Sequence, residues 1–336
     1  MQWQAFPRRA SLKMLALILA FVAAGVVSSA TKPDSTGSAA SGTESRLPNP
    51  VRTNDAALSV TVDSNLVQIP VTVMDKKDQV VEDLSKESFA VYENGVAQTI
   101  VHFGFEEAPI SVCLVFDSSL SMASKLEKAI EAANEVLGAS KPDDEYCLVR
   151  FSDWPSVLVG LTKNPAHVTS AVSRIYAEGF TALLDGIYTG MAEVKHAQNR
   201  HKAIVLISDG GDNRSRHTQR QIKDLVREAD VQIYAIGVLS PEGQIFSQEE
   251  IDGPALMKGL SRESGGRLYR IHNLSDLPVA AAKINMALRH QYLLGYYPKQ
   301  IHNDGKYRHI AVKLSPPKGV SGLRAYWRSG YYAPKD

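Results

Sequence analysis

The chain has 336 residues, of which 44% are hydrophobic, so it can bury one large domain or two smaller ones. Its 37 Lys and Arg side chains are balanced by 36 Asp and Glu side chains. Without an excess of positive charge, the composition disfavours a DNA- or RNA-binding function and gives no sign of attraction to an anionic membrane.

The N-terminus has the three parts of an export signal. Arg8, Arg9 and Lys13 precede an apolar run at 14–27, and small residues up to Ala30 favour cleavage there. We predict a signal peptide over 1–30 and an extracytoplasmic protein, periplasmic or secreted, exported by the Sec or the twin-arginine route. The alternative is an uncleaved anchor. Because about 14 to 16 apolar residues are short for a bilayer that needs about 20, we expect no membrane span after cleavage.

Composition divides the rest of the chain into four segments. Residues 31–56 are rich in Ser, Thr, Gly and Pro, which predicts a flexible linker. Residues 57–108 show a β pattern with an Asn-Gly turn at 94–95, and residues 290–336 show more of the same pattern. We expect these two flanks to pack together as a small β-sandwich-like domain around the segment 109–289.

Residues 109–289 alternate short apolar runs with amphipathic segments. Apolar runs of this length are typical of fully buried parallel strands, and the segments between them are typical of helices. The pattern predicts a doubly wound α/β domain with a mostly parallel sheet and right-handed crossovers. The predicted strands are 111–116, 145–151, 203–208, 231–237 and 267–271, and the predicted helices are 126–137, 166–176, 183–194, 219–229, 254–264 and 277–288.

Oxygen-bearing side chains follow two of these strands, at the sheet edge where such folds bind ligands. Asp117, Ser119 and Ser121 follow the first strand and point the same way if the segment is extended. Asp209 follows the strand 203–208. Carboxylates and hydroxyls suit a hard cation such as Mg²⁺, Mn²⁺ or Ca²⁺, and the set lacks the His and Cys that Zn²⁺ prefers. With only two carboxylates, the ion can still attract a carboxylate from outside.

These residues carry a family resemblance. The Asp-x-Ser-x-Ser run at 117–121 resembles the first element of the metal-ion-dependent adhesion site of von Willebrand factor A (VWFA) domains, and the Ser-Asp-Gly run at 208–210 resembles the last. Thr181, in a loop before a predicted helix, matches the middle element. The resemblance implies a Rossmann-like fold, a Mg²⁺ site with Mn²⁺ or Ca²⁺ as alternatives, and an unidentified partner protein that presents an Asp or Glu. The implied metal-site residues are Asp117, Ser119, Ser121, Thr181 and Asp209.

The β flanks carry a second resemblance. The stretches 67–73, 83–95, 292–298 and 328–332 are similar to the VWFA-related Acidobacterial domain family, whose members are exported and mostly uncharacterised. Together the resemblances imply an exported, metal-dependent protein-binding or adhesion module and no enzyme. The alternatives are a structural or envelope-assembly protein with a secondary metal site and, less favoured, a metal-dependent hydrolase. The sequence contains no nucleophile-elbow, phosphate-loop or zinc-protease motif.

The sequence allows more than one role for several side chains. Cys113 and Cys147 each lie in a predicted buried strand, so free thiols are the default interpretation and a disulfide is the alternative. Asp185 and Asp212 are expected to have helix-start and turn roles rather than to bind metal. The basic stretch 214–220 either steers an acidic partner or forms a solvated helix start.

Overall fold

A computed structural model describes residues 66–238 and 248–335, all in one compact unit. The predicted signal peptide and linker, at 1–30 and 31–56, lie outside the described residues. No helix in the described ranges is long and apolar enough to cross a bilayer.

The strands are β1 (Val67–Met74), β2 (Phe89–Glu93), β3 (Val96–Gln98), β4 (Ile100–Glu107), β5 (Ile110–Asp117), β6 (Glu145–Phe151), β7 (Pro155–Thr162), β8 (His201–Ser208), β9 (Gln232–Val238), β10 (Leu268–Ile271), β11 (His290–Tyr296), β12 (Tyr307–Leu314), β13 (Arg324–Tyr326) and β14 (Gly330–Tyr332). The α-helices are α1 (Leu126–Gly138), α2 (Pro165–Val172), α3 (Leu183–Val194), α4 (Gln219–Glu228), α5 (Gln248–Ser264) and α6 (Leu277–Arg289).

The central sheet has six strands in the order β10-β9-β8-β5-β6-β7. Neighbouring strands are parallel from β10 to β6, and among the described strands of this sheet β7 alone is antiparallel. Every residue of β5 and of β9 is buried, because helices cover both faces of the sheet, and this is why these strands are continuous apolar runs. The predicted α/β fold with a mostly parallel sheet is confirmed.

Two helical layers enclose this sheet. Side chains of α1, α2 and α6 form a core on one face, and side chains of α3, α4 and α5 form a core on the other. The start predicted for the fifth helix is wrong: α5 begins at Gln248 rather than at residue 254, and Pro254 lies inside it. Proline ordinarily marks a first turn because it lacks an N–H, which is why the sequence suggested a start there.

Two four-stranded sheets combine strands from both ends of the described chain, in the orders β13-β1-β11-β4 and β14-β12-β2-β3. β1 pairs with β11 and β13, and β12 pairs with β2. The two sheets share a core that includes Ile69, Val91, Leu294 and Val312. The turn at 94–95, which joins β2 and β3, has φ values of 47° and 82°, as a tight two-residue hairpin requires.

The two cysteines form a disulfide rather than remaining free thiols. Cys113 on β5 and Cys147 on β6 lie directly opposite each other in the parallel register, with their Cα atoms 4.5 Å apart. Both are fully buried on the face that α3 covers. The sequence placed each cysteine in a buried strand, but only the pairing of the strands brings the two sulfur atoms together.

Candidate metal centre

The candidate site lies where the order of the central sheet reverses. From β5 the chain adds β6 and β7 on one side, and then β8, β9 and β10 on the other. Asp117 ends β5, and Ser208 ends β8 immediately before Asp209. Loops that leave adjacent strands in opposite directions open a crevice at this point, which is the usual ligand position in such sheets.

Asp117 is the centre of a hydrogen-bonded group of side chains. Its Oδ1 accepts from the Ser119 N–H at 2.9 Å and from the Ser119 hydroxyl at 2.6 Å, and its Oδ2 accepts from the Ser208 hydroxyl at 2.6 Å. The hydroxyls of Ser119 and Ser121 are 3.0 Å apart. The structure therefore brings together the carboxylate and the two hydroxyls of the Asp-x-Ser-x-Ser run.

Asp209, which is 4% exposed, has one partner in the described chain. Its Oδ2 accepts from Lys125 Nζ at 3.0 Å, while its Oδ1 is buried without a hydrogen-bond partner. Lys125 precedes α1 and is itself mostly buried, with 11% of its side chain exposed. This lysine could not be predicted from the sequence, because nothing in the local pattern indicates that it reaches a residue 84 positions away.

The electrostatics of this group favour a cation. Burial, and next the nearby carboxylate of Asp209, raise the pKa of Asp117 to about 7, although hydrogen bonds from Ser119 and Ser208 act to lower it. Two carboxylates held close together in a buried position repel each other when both are ionised. A positive charge between them removes that repulsion.

Thr181 lies in a loop that is tied to the same region through its backbone. The Leu120 N–H donates to the carbonyl of Gly179 at 3.1 Å, and the N–H groups of Asn213 and Arg214 donate to the carbonyl of Thr181 at 3.0 and 3.1 Å. Gly179 has a φ of 71°, which glycine adopts without strain. The three loops that carry the five predicted residues are thus fastened to one another, and Thr181 is 4% exposed.

Two further aspartates hold the loop after Asp209 in place and lie outside the group of hydrogen-bonded side chains around Asp117. The carboxylate of Asp185 accepts from the N–H groups of Arg216 and His217 and contacts Nδ1 of His217 at 2.7 Å. Asp212 Oδ1 accepts from the Leu183 N–H and the Ser215 hydroxyl. Both carboxylates are engaged as acceptors in loop structure.

The donor set fits a hard divalent cation. It offers the carboxylates of Asp117 and Asp209 and the hydroxyls of Ser119 and Ser121. In the described part of the chain no three His, Cys, Asp or Glu side chains are grouped, so a bound ion would depend on hydroxyls as well as carboxylates. The buried, unpartnered Oδ1 of Asp209 and the hydroxyls beside Asp117 are oxygen atoms that Mg²⁺, Mn²⁺ or Ca²⁺ would satisfy.

Exposed apolar and cationic side chains surround this centre. We name them the arginine–tryptophan rim, and they occupy the loops after β5, β6 and β8 and the loop of Thr181. The guanidinium carbon of Arg216 lies 4.3 Å from the ring centre of Trp154, and that of Arg214 lies 5.6 Å from Trp154 and 5.8 Å from Phe180. The rim consists of Leu120, Trp154, Phe180, Arg214 and Arg216.

Residues 112–211, which include the five predicted site residues, match the family model of the von Willebrand factor type A domain. Over this stretch the chain is similar to a type A domain. The similarity agrees with the α/β sheet and covers the strands β5 to β8, from which the candidate centre is built.

Two curated relatives and one solved structure illustrate what this chain is similar to. An uncharacterized protein of Borreliella burgdorferi is 24% identical over 187 residues, covering 49% of this chain and 55% of that protein. The inter-alpha-trypsin inhibitor heavy chain H1 of Bos taurus is 26% identical over 237 residues, covering 66% of this chain and 24% of that protein. The chain thus spans about half or about a quarter of the length of these relatives. A von Willebrand factor type A structure from Catenulispora acidiphila is 11% identical, covers 82% of this chain and 75% of that one, and has a TM-score of 0.47.

Proposed function

We propose that the chain is a metal-dependent protein-binding module that captures a carboxylate of a partner protein through a divalent cation, with Mg²⁺ the preferred ion and Mn²⁺ or Ca²⁺ as alternatives. One observation carries the proposal. At the switch point of the sheet, the hydroxyls of Ser119 and Ser121 adjoin a buried Asp117, and Asp209 nearby has an oxygen atom without a partner.

In this proposal Asp117, Ser119, Ser121, Thr181 and Asp209 hold the ion. A divalent cation held by two carboxylates and three neutral hydroxyls would still attract an anion from outside. Binding of an external carboxylate is the chemistry that the ion would supply. The type A domain supports a role in protein interaction, and the match to an inter-alpha-trypsin inhibitor heavy chain agrees with it.

The proposal does not include catalysis. A hydrolase would need a general base beside the ion and free to take a proton. Of the two central carboxylates, Asp117 accepts hydrogen bonds from two serines, and Asp209 is paired with Lys125. Asp185 and Asp212 are engaged by backbone and side-chain donors, Asp153 accepts from the Phe180 N–H, and Glu178 is paired with Arg150.

We also propose that the protein acts outside the cytoplasm. The disulfide between Cys113 and Cys147 supports this location, because disulfides persist in oxidising compartments and are rare in the cytosol. Thiol alkylation of denatured, unreduced protein from its native cells tests the idea. We expect no labelled cysteine before reduction and two afterwards; full labelling before reduction would contradict export.

Thermal unfolding with added Mg²⁺, Mn²⁺ or Ca²⁺ tests the metal site. An ion at about ten times its Kd stabilises the folded state by about 1.4 kcal/mol, which is enough to raise the Tm measurably. We expect this rise in the native protein and in Ser118→Ala, whose hydroxyl bonds to the Phe151 carbonyl, and its loss in Ser121→Ala. No rise with any of the three ions would overturn the proposal.

A further inference from the structure

We propose that the arginine–tryptophan rim binds a second acidic side chain of the partner, a few residues from the one that the metal holds. The preferred ligand is therefore an extended acidic peptide segment with an apolar residue, rather than an isolated carboxylate. This inference rests on the proposed function of the metal centre. The rim itself lies outside the five residues assigned to the ion.

The rim and the metal centre are carried by the same group of loops, which are joined through their backbones. The N–H of Arg214 donates to the carbonyl of Thr181, and Phe180 immediately precedes Thr181. Leu120 lies between the two serines of the first loop, and its N–H donates to Gly179. Every rim residue lies within two positions of a residue that joins these loops. Arg216 is two positions from Arg214, and Trp154 is two positions from Ser152, whose carbonyl accepts from the Ala182 N–H.

Three large apolar side chains of the rim are exposed although they adjoin a well-packed sheet. Leu120 is 63% exposed, Trp154 is 48% exposed and Phe180 is 60% exposed. Single exposed apolar side chains are ordinary on protein surfaces, but their grouping around one polar centre is typical of an interaction site. A partner that approaches the metal would cover them.

The two arginines are held for binding by the aromatic rings. A guanidinium group stacked on a ring face is attracted to it and keeps the N–H donors in its own plane available. Arg216 lies over Trp154, and Arg214 lies between Trp154 and Phe180. Since the stacking limits the side-chain freedom of the arginines, binding a planar carboxylate through two N–H donors costs less conformational entropy.

The guanidinium groups of the rim are available to a ligand. Within the described chain neither Arg214 nor Arg216 forms an ion pair, and the nearby carboxylates have other hydrogen-bond partners. Asp153 accepts from the Phe180 N–H, Glu178 pairs with Arg150, and Asp212 accepts from Ser215. Two guanidinium groups beside a cation site therefore favour a ligand with more than one negative charge.

The geometry of an extended chain limits the distance between the two acidic residues. Alternate side chains of an extended segment lie on one face, roughly 6–7 Å apart. We therefore expect a second Asp or Glu within three positions of the metal-bound residue to bind Arg214 or Arg216. An apolar side chain between or beside them would contact Leu120 or Phe180.

An array of synthetic nonapeptides tests this inference in the presence of Mg²⁺. Each peptide carries a fixed central Asp in a Gly-Ser background, and one flanking position is varied among Glu, Gln, Leu and Lys. Fluorescently labelled full-length protein is compared with the double variant Arg214→Gln/Arg216→Gln. The matched control is Arg220→Gln, which removes an exposed arginine of α4, 92% exposed, outside the rim.

We expect Glu within three positions of the central Asp to strengthen binding about tenfold over Gln, since a charge-assisted hydrogen-bonded pair contributes about that factor. The double variant should lose this preference while keeping its stabilisation by Mg²⁺, and Arg220→Gln should keep both. Equal binding of the Glu and Gln peptides by the native protein, or an unchanged preference in the double variant, would overturn the inference. Failure of the proposed function looks different: replacing the central Asp by Asn would then make no difference to any peptide.

Discussion

Buried aspartates at the two ends of the central sheet have opposite environments. At the amino ends of the strands, Asp144 accepts two hydrogen bonds from Arg289, at 3.0 and 2.6 Å, and one each from the N–H groups of Ile110 and Lys141. At the carboxyl ends, Asp117 faces Asp209, whose Oδ1 has no partner. Both oxygen atoms of Asp144 accept hydrogen bonds from the protein, whereas only one oxygen atom of Asp209 does.

The pKa values follow this difference. Burial alone would raise the pKa of Asp144, but the hydrogen bond from Arg289 and those from the backbone outweigh it and hold the pKa below its usual value. At the other end, burial and the neighbouring carboxylate raise the pKa of Asp117. A buried carboxylate with a complete set of donors stabilises the fold, whereas a buried carboxylate pair with an unpartnered oxygen at the switch point of a sheet is a candidate ligand site. We therefore assign Asp144 to structure and propose that the pair of Asp117 and Asp209 binds a ligand.

The largest effect on the free energy of unfolding is expected for Asp144, at the amino ends of the strands. Replacing Asp144 by Ala leaves the buried guanidinium of Arg289 without its partner and should lower the free energy of unfolding by about 3–5 kcal/mol. Urea denaturation measures this loss. The neighbouring Asp143→Ala is the control: its side chain is 76% exposed, and it should change stability by less than about 1 kcal/mol. Equal losses in both variants would contradict the comparison.

The ion pair of Asp144 and Arg289 also predicts how the stability of the fold changes with pH. Because the folded pKa of Asp144 is lowered, its contribution to stability is present above the ordinary pKa of an aspartate and is lost as the pH falls through the folded value. The stability difference between the native protein and Asp144→Ala should therefore be constant near neutral pH and shrink on acidification below about pH 4. Denaturation series at several pH values would show it; a difference that grows in acid would refute the assignment.

A smaller effect is expected for Lys125. Replacing it by Met removes the partner of a buried carboxylate and should destabilise the metal-free protein by about 1–3 kcal/mol. The stabilisation gained from saturating Mg²⁺ should increase, because the ion then neutralises an unpaired Asp209. Lys128→Met, on the exposed surface of α1 beside Glu131, should alter neither quantity. If both lysine variants respond to Mg²⁺ like the native protein, Lys125 is not coupled to the site.

The smallest change in metal-free stability is expected for Asp117→Asn. The amide keeps the shape of the carboxylate and removes its repulsion with Asp209, so the free energy of unfolding should shift by no more than about 1 kcal/mol. Stabilisation by Mg²⁺ should nevertheless disappear. Denaturation with and without the ion separates the two quantities, and a large loss of stability without metal would place Asp117 in the same structural class as Asp144.

The sequence predicted the parallel strands of the sheet well, because buried strands are continuous apolar runs whose ends are easy to locate. The sequence did not predict β7. This edge strand begins at Pro155 and has no buried residue, so it is not the continuous apolar run that marks the other strands. The order of strands then placed Asp117 and Asp209 at one edge. By contrast, the contact of Lys125 with Asp209 and the stacking of Arg216 on Trp154 depend on side chains from distant segments, which no local pattern specifies.

Counting bound ions tests the central claim most directly. Equilibrium dialysis of the native protein against Mn²⁺, followed by elemental analysis, should give one ion per chain that excess Mg²⁺ displaces. Asp117→Asn should bind none, and Ser118→Ala should bind one. A native protein that retains no ion at Mn²⁺ concentrations where its fold is intact, or an Asp117→Asn variant that still binds one ion per chain, would contradict the assignment of this centre.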